Sequence, residues 1–168
     1  DELQLLDRDS HMSRDIFRGR PLGSFLEGPS FDRDGNLYVV DIAHGRVLRV
    51  SEGGEFTVVA DYDGSPNGLK IHKDGRIFVA DRQNGIIEVD PVNGKIFPYI
   101  SPDQLPGYKG VNDLFFASNG DLYFTDQGDT GLHDATGRVF RQDINGPLNC
   151  LIDNVPSPNG LVMDPEET

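Results

Sequence analysis

The chain has 168 residues, with 36% hydrophobic and 26% charged, which is a globular composition long enough for one domain with its own core. A formal net charge of −13 denies it the basic face that phosphate neutralisation needs, which excludes nucleic acid and anionic membrane surfaces as partners. No apolar run approaches the roughly 18 residues of a membrane span, while 20 glycines and 11 prolines point to an all-β chain with many tight turns.

At the N-terminus, His11-Met12 is the dipeptide a common cloning site leaves behind. Residues 1–12 therefore read as tag or linker and are set aside from the fold. The expected location is the cytoplasm, unless an export signal has been cut away ahead of residue 13.

From Glu27 a pattern begins that recurs. EGPSFDRDGNLYVVD from Glu27 matches NGLKIHKDGRIFVAD from Asn67, 40 residues on, and NDLFFASNGDLYFTD from Asn112. A fourth copy opens at Asn159 with NGLVMD. Asn112 and Asn159 are 47 apart, and the seven extra residues lie in one loop, between Asp126 and Gly137. Each copy is predicted to hold four short strands; in the second these are 68–72, 76–80, 86–89 and 95–100. Asp-Gly and Asn-Gly pairs mark the hairpins, and the strands are β-branched and aromatic. Four strands per roughly 40 residues, repeated with fixed internal offsets, is the pattern of a β-propeller blade. A β-sandwich would not need that period.

The expected fold is thus all-β, a partial propeller over 13–168 with blades starting near 27, 67, 112 and 159. Such propellers close with about four to eight blades. About three and a half blades cannot close, and an open arc exposes blade faces and strand edges. A complementary C-terminal half is therefore expected in a longer chain.

In a propeller the first strand of each blade lines the central channel. Glu27, Asn67, Asn112 and Asn159 would then ring one mouth. The loops after Asp41, Asp81 and Asp126 would rim it, as would the insertion carrying Asp129, His133 and Asp134, and the linker carrying Tyr108 and Lys109. A carboxylate and three carboxamides form an oxygen-donor set that suits calcium or magnesium. The competing reading makes the asparagines turn formers at blade starts. Asp41, Asp81 and Asp126 recur at one blade position, which points to a hydrogen-bonded cap. His44 reads as a turn residue, His72 as structural, and Cys150 as a small buried apolar residue in a strand.

Three motifs go further. Leu26-Glu27-Gly28-Pro29, Val111-Asn112-Asp113-Leu114 with Tyr123-Phe124-Thr125-Asp126, and Ser157-Pro158-Asn159-Gly160-Leu161 resemble successive motifs of the gluconolactonase/regucalcin family. The resemblance runs from Phe25 to Thr168. It implies a propeller of six blades when complete, with a metal in the central channel. Diisopropylfluorophosphatase and the paraoxonases share that architecture.

Carried over by motif, the resemblance makes Glu27, Asn112 and Asn159 metal ligands, with Asn112 also able to touch substrate. Asp113 falls near the metal, with a catalytic part or a plain strand role both open. The family's general-base aspartate falls beyond Thr168. Its substrate-binding arginine, two residues before the third-blade asparagine, falls on Gly110, which leaves Lys109 as a substitute. Asn67, Tyr108 and His133 are the remaining substrate-binding candidates. The implied activity is calcium-dependent opening of a lactone, with Mg²⁺, Mn²⁺ or Zn²⁺ as other possible metals. Two alternatives stay open: a phosphotriesterase-type hydrolase on the same site, and a non-enzymatic calcium- or protein-binding propeller. The expected partner is a small-molecule lactone or ester; the oligomeric state is not fixed by the sequence.

Overall fold

The computed structural model describes residues 23–167. The expected tag or linker at 1–12 lies outside the described residues. Twelve strands form three four-stranded antiparallel sheets. The first sheet is β1 (Leu26–Phe31), β2 (Leu37–Asp41), β3 (Arg46–Val50) and β4 (Phe56–Asp61). The second is β5 (Pro66–Ile71), β6 (Ile77–Asp81), β7 (Gly85–Val89) and β8 (Ile96–Ile100). The third is β9 (Val111–Phe116), β10 (Leu122–Asp126), β11 (Gly137–Gln142) and β12 (Leu148–Val155). Each sheet pairs its strands in chain order, and a short 3-10 turn at Pro102–Gln104 lies in the linker between the second and third.

β1 packs beside β5, and β5 beside β9, so the first strands lie side by side on the inside of the arc. This is the blade arrangement of a propeller. Strand period two explains the packing. On β6, Ile77 and Val79 face the first blade and join Tyr38, Val40 and Val47. Phe78 and Ala80 face the third blade and join Leu114, Leu122 and Phe124. A strand buried on both faces must be apolar throughout, and Ile77-Phe78-Val79-Ala80 is.

Two expectations need correction. Cys150 is exposed. It sits on β12, the outermost strand of its blade, beyond the layers where blades pack, so the apolar character of Leu151 and Ile152 does not bury them either. Asn159 does not open a strand: residues 156–167 make no ladder, because no neighbouring strand pairs with them among the described residues. Among the described residues no helix is long and apolar enough to cross a membrane.

Candidate functional site

Each blade fastens the start of its inner strand with one buried aspartate at the end of its second strand. Asp41 Oδ1 accepts from Phe25 N (2.9 Å). Asp81 Oδ2 accepts from Ser65 N (2.8 Å), and its Oδ1 from Gln83 N and Asn84 N. Asp126 Oδ1 accepts from Lys109 N (3.0 Å) and Gly110 N (2.7 Å). All three carboxylates are fully buried. Backbone N–H groups that would otherwise end a strand unpaired are satisfied this way. His44 Nδ1 lies 2.8 Å from Asp41 Oδ2, and Arg138 Nε donates to Asp126 Oδ2 (3.0 Å). This is the capping role expected from the recurrence.

Just past the caps, each inner strand bulges. The register slips between Glu27 and Ser30, between Pro66 and Gly68, and opposite Phe124 and Asp126, where Asn112 and Asp113 lie. A bulge re-aims the side chains it carries. The inner strands also approach closely here. A Cβ on Gly28, whose φ is +58°, would stand 2.6 Å from Asn67 O; one on Gly68 would stand 2.8 Å from Asn112 O. Thr125 Oγ1 donates to Asn159 O (2.8 Å), and Leu161 N donates to Asp113 Oδ2 (3.2 Å). The backbones carrying Glu27, Asn67, Asn112 and Asn159 are thereby brought together at one end of the inner strands.

Their side chains differ in burial. Glu27 and Asn159 are exposed and Asn67 is half-buried. Asn112 is 4% exposed, and its Oδ1 is buried without a hydrogen-bond partner. Its Nδ2 donates to Gln127 Oε1 (2.6 Å), and Gln127 Nε2 donates to Ser157 Oγ (2.7 Å). A buried carbonyl oxygen left unpaired is costly unless a hydrogen-bond donor or a cation meets it. The orphaned oxygen, at the end of the inner strands where the backbones carrying Glu27, Asn67 and Asn159 also meet, is a donor of the type a hard cation takes. Among the described residues no three His, Cys, Asp or Glu side chains cluster as a metal site, so a cation here would have to draw on carboxamide oxygens.

The other candidates sit on the rim. Asp113 stands where the other copies have Gly28, Gly68 and Gly160. Its carboxylate reaches between blades, 3.7 Å from Lys70 Nζ, so it is not an outward strand residue. Tyr108 donates its hydroxyl to Asp81 O (3.1 Å) and Arg82 O (3.0 Å) and accepts from Val111 N (3.2 Å). Burial pushes its phenol up to about 12. Lys109 Nζ donates to Thr136 Oγ1 (2.9 Å), and His133 is exposed on the insertion.

Two residues escaped the sequence reading. Gln127 follows the capping Asp126, but nothing local announces its bond to Asn112. Arg82, in the loop after the second cap, packs its Cγ 2.8 Å from where a Cβ on Gly110 would stand, and its Nη2 pairs with Asp129 Oδ1 (2.8 Å). Its signal was the glycine itself: Gly110, with φ +129°, leaves room for an arginine from the neighbouring blade. At the opposite end of the inner strands a cleft of about 310 Å³ lies between the first two blades, lined by Phe31, Arg33, Tyr38, His72 and Lys73 among others. It shares no residue with this site.

A family model described as "SMP-30/Gluconolactonase/LRE-like region" matches residues 25–168. Lactonase drp35 of Staphylococcus aureus is 29% identical over 151 residues, covering 86% of this chain and 46% of the relative. Gluconolactonase of Zymomonas mobilis is 35% identical over 111 residues, covering 61% of this chain and 31% of the relative. A solved gluconolactonase from Xanthomonas campestris superimposes with a TM-score of 0.73 at 24% identity, over 86% of this chain and 52% of that one. The chain thus spans about half or less of the length of the proteins it matches.

Proposed function

The chain belongs to the SMP-30/gluconolactonase/LRE-like family, and from that premise we propose that the full-length protein opens a lactone ring with the help of a divalent cation, calcium first. The observation that carries the reading is Asn112 Oδ1, buried and unpartnered at the end of the inner strands, near which the backbones of Glu27, Asn67 and Asn159 pass. The lactonase and gluconolactonase relatives support the reaction class.

Glu27, Asn112 and Asn159 would hold the cation. When bound, it supplies Lewis-acid polarisation of the ester carbonyl and charge stabilisation as that oxygen becomes negative. The chain's own residues bind and orient. Asn67 presents a carboxamide to the substrate. Lys109, anchored at Thr136, and His133 on the insertion bring polar groups to the rim. Asp113 ties the second, third and fourth repeats together through Lys70 and Leu161, which makes it a positioning residue. A carboxylate expected beyond Thr168 takes the proton of the attacking water. Water adds to the carbonyl carbon, the ring C–O bond breaks, the proton passes from that carboxyl to the departing ring oxygen, and a hydroxy acid leaves.

A paired assay tests the reading. The full-length protein is given a sugar lactone and an organophosphate triester, before and after chelation, alongside Glu27→Gln. Lactone turnover lost on chelation, restored by Ca²⁺ and depressed in Glu27→Gln is the expected result. Turnover of the triester alone would move the protein to the phosphotriesterase class. Stoichiometric calcium with no turnover of either would make it a binding propeller.

A further inference from the structure

Gln127 directly follows the third cap, where Ile42 and Arg82 follow the first two, so its chemistry is peculiar to this blade. Its backbone is fixed at both ends: Gln127 N donates to Gly110 O (3.0 Å), and Thr130 Oγ1 donates to Gln127 O (2.5 Å). Its side chain is used at both atoms. Oε1 accepts from Asn112 Nδ2 (2.6 Å), and Nε2 donates to Ser157 Oγ (2.7 Å). Ser157 has φ +54°, a left-handed conformation that a non-glycine residue keeps only where its surroundings hold it. It stands two residues before Asn159.

A primary amide has a donor end and an acceptor end. Once the Asn112 NH₂ is captured by Gln127, its carbonyl oxygen must point elsewhere, and that oxygen is the buried unpartnered atom. We propose that Gln127 is a positioning residue for the cation site, turning the Asn112 carboxamide oxygen-first into the channel and, through Ser157, setting the segment that carries Asn159. The inference rests on the cation reading proposed above. Because a serine hydroxyl donates as well as accepts, the chain of amides can in principle run in either sense. A carboxylate at position 127 can only accept, so it would lock Asn112 with its oxygen toward the channel.

The test is calorimetric titration of Ca²⁺ into chelator-stripped full-length protein, paired with thermal unfolding in the absence of metal. Gln127→Met, similar in size and without a strong donor or acceptor, is expected to bind Ca²⁺ about 10- to 100-fold more weakly, the usual effect of losing an outer partner of a ligand. Gln127→Glu is expected to bind at least as tightly as the parent. Ser157→Ala keeps the Asn112 contact but frees the far end of Gln127, and should weaken binding by a smaller factor. It also serves if Gln127→Met does not fold. A purely structural role would lower the metal-free unfolding temperature and leave the affinity of folded variants unchanged, and that result overturns the proposal. A parent protein that binds no Ca²⁺ overturns the cation reading and this inference with it; a parent that binds, with variants that bind equally well, overturns this inference alone.

Discussion

Replacing Asp126 by asparagine leaves the shape of the third cap but removes its charge. The carboxylate is fully buried and accepts from Lys109 N, Gly110 N and the Arg138 guanidinium. In the variant one oxygen can still take the two backbone N–H groups, but an NH₂ then faces Arg138, donor against donor. Breaking a buried pair from one side costs about 3–5 kcal/mol. Arg138 keeps Pro106 O (2.7 Å) and Gly107 O (2.9 Å) and is 14% exposed, which places the loss near the lower end, about 3 kcal/mol. For a domain of this size that is roughly 6–12 °C in Tm. Asp81 is the comparison, because its capping partners are neutral backbone N–H groups: an NH₂ there also meets a donor, but no charge is left uncompensated. Asp81→Asn leaves one buried N–H set unsatisfied and should cost about 1–3 kcal/mol, less than Asp126→Asn in the same experiment. Urea and thermal unfolding of the two variants beside the parent give both numbers. Equal losses, or a larger loss at Asp81, would refute the claim that the Arg138 pair sets the strength of the third cap.

Other consequences follow from the same geometry. Gly68→Ala would put a Cβ 2.7 Å from Asp113 Cα and 2.8 Å from Asn112 O, backbone and not a yielding side-chain end, so the second and third blades must part at the site. Both Tm and lactone turnover should fall, and a variant with parental values for both would contradict the close approach. Phe78 is 1% exposed and contacts the rings of His72, Tyr99 and Phe116, so Phe78→Ala should cost about 3–5 kcal/mol in urea unfolding. Tyr108 is held up to about 12 by burial, and Tyr62 is raised well above 10.0, first by burial and then by the charge of Asp81. A phenol raised in the folded state favours folding below its unfolded value near 10 and loses that contribution as pH climbs through the folded value. Stability measured from pH 9 to 12 should therefore drop above about pH 10, and more shallowly in Tyr108→Phe.

The blade repeat was legible because it is written in local chemistry. The Asp-Gly and Asn-Gly turns and the β-branched runs placed the strands of the second blade to within a residue or two of β5 to β8. Recurrence also exposed the caps: Asp41, Asp81 and Asp126 each meet an N–H sixteen residues earlier, so one interaction repeated in three copies could be recognised as architecture. What repeats does not show is what differs between copies. Asp113, in place of a glycine, and Gln127, in place of Ile42 or Arg82, act across blades, and their partners at Leu161, Lys70 and Ser157 lie 30 or more residues away. Cys150 misled because an apolar stretch on an outermost strand has the same letters as one between blades; only the packing of neighbouring sheets separates them. Asn159 was placed at a strand start by its phase, but a strand needs a paired neighbour; β1, β5 and β9 each pair with the strand that follows them, and among the described residues none pairs with the segment at Asn159.

The decisive measurement is turnover of a lactone by metal-stripped full-length protein, followed by proton release as Ca²⁺ is returned. Hydrolysis should be negligible without metal, activity should rise and saturate as a single class of site fills, and the titration should shift to higher calcium in Asn112→Ala. Hydrolysis at full rate in the stripped protein, or an Asn112→Ala titration that overlays the parent, would contradict the cation reading.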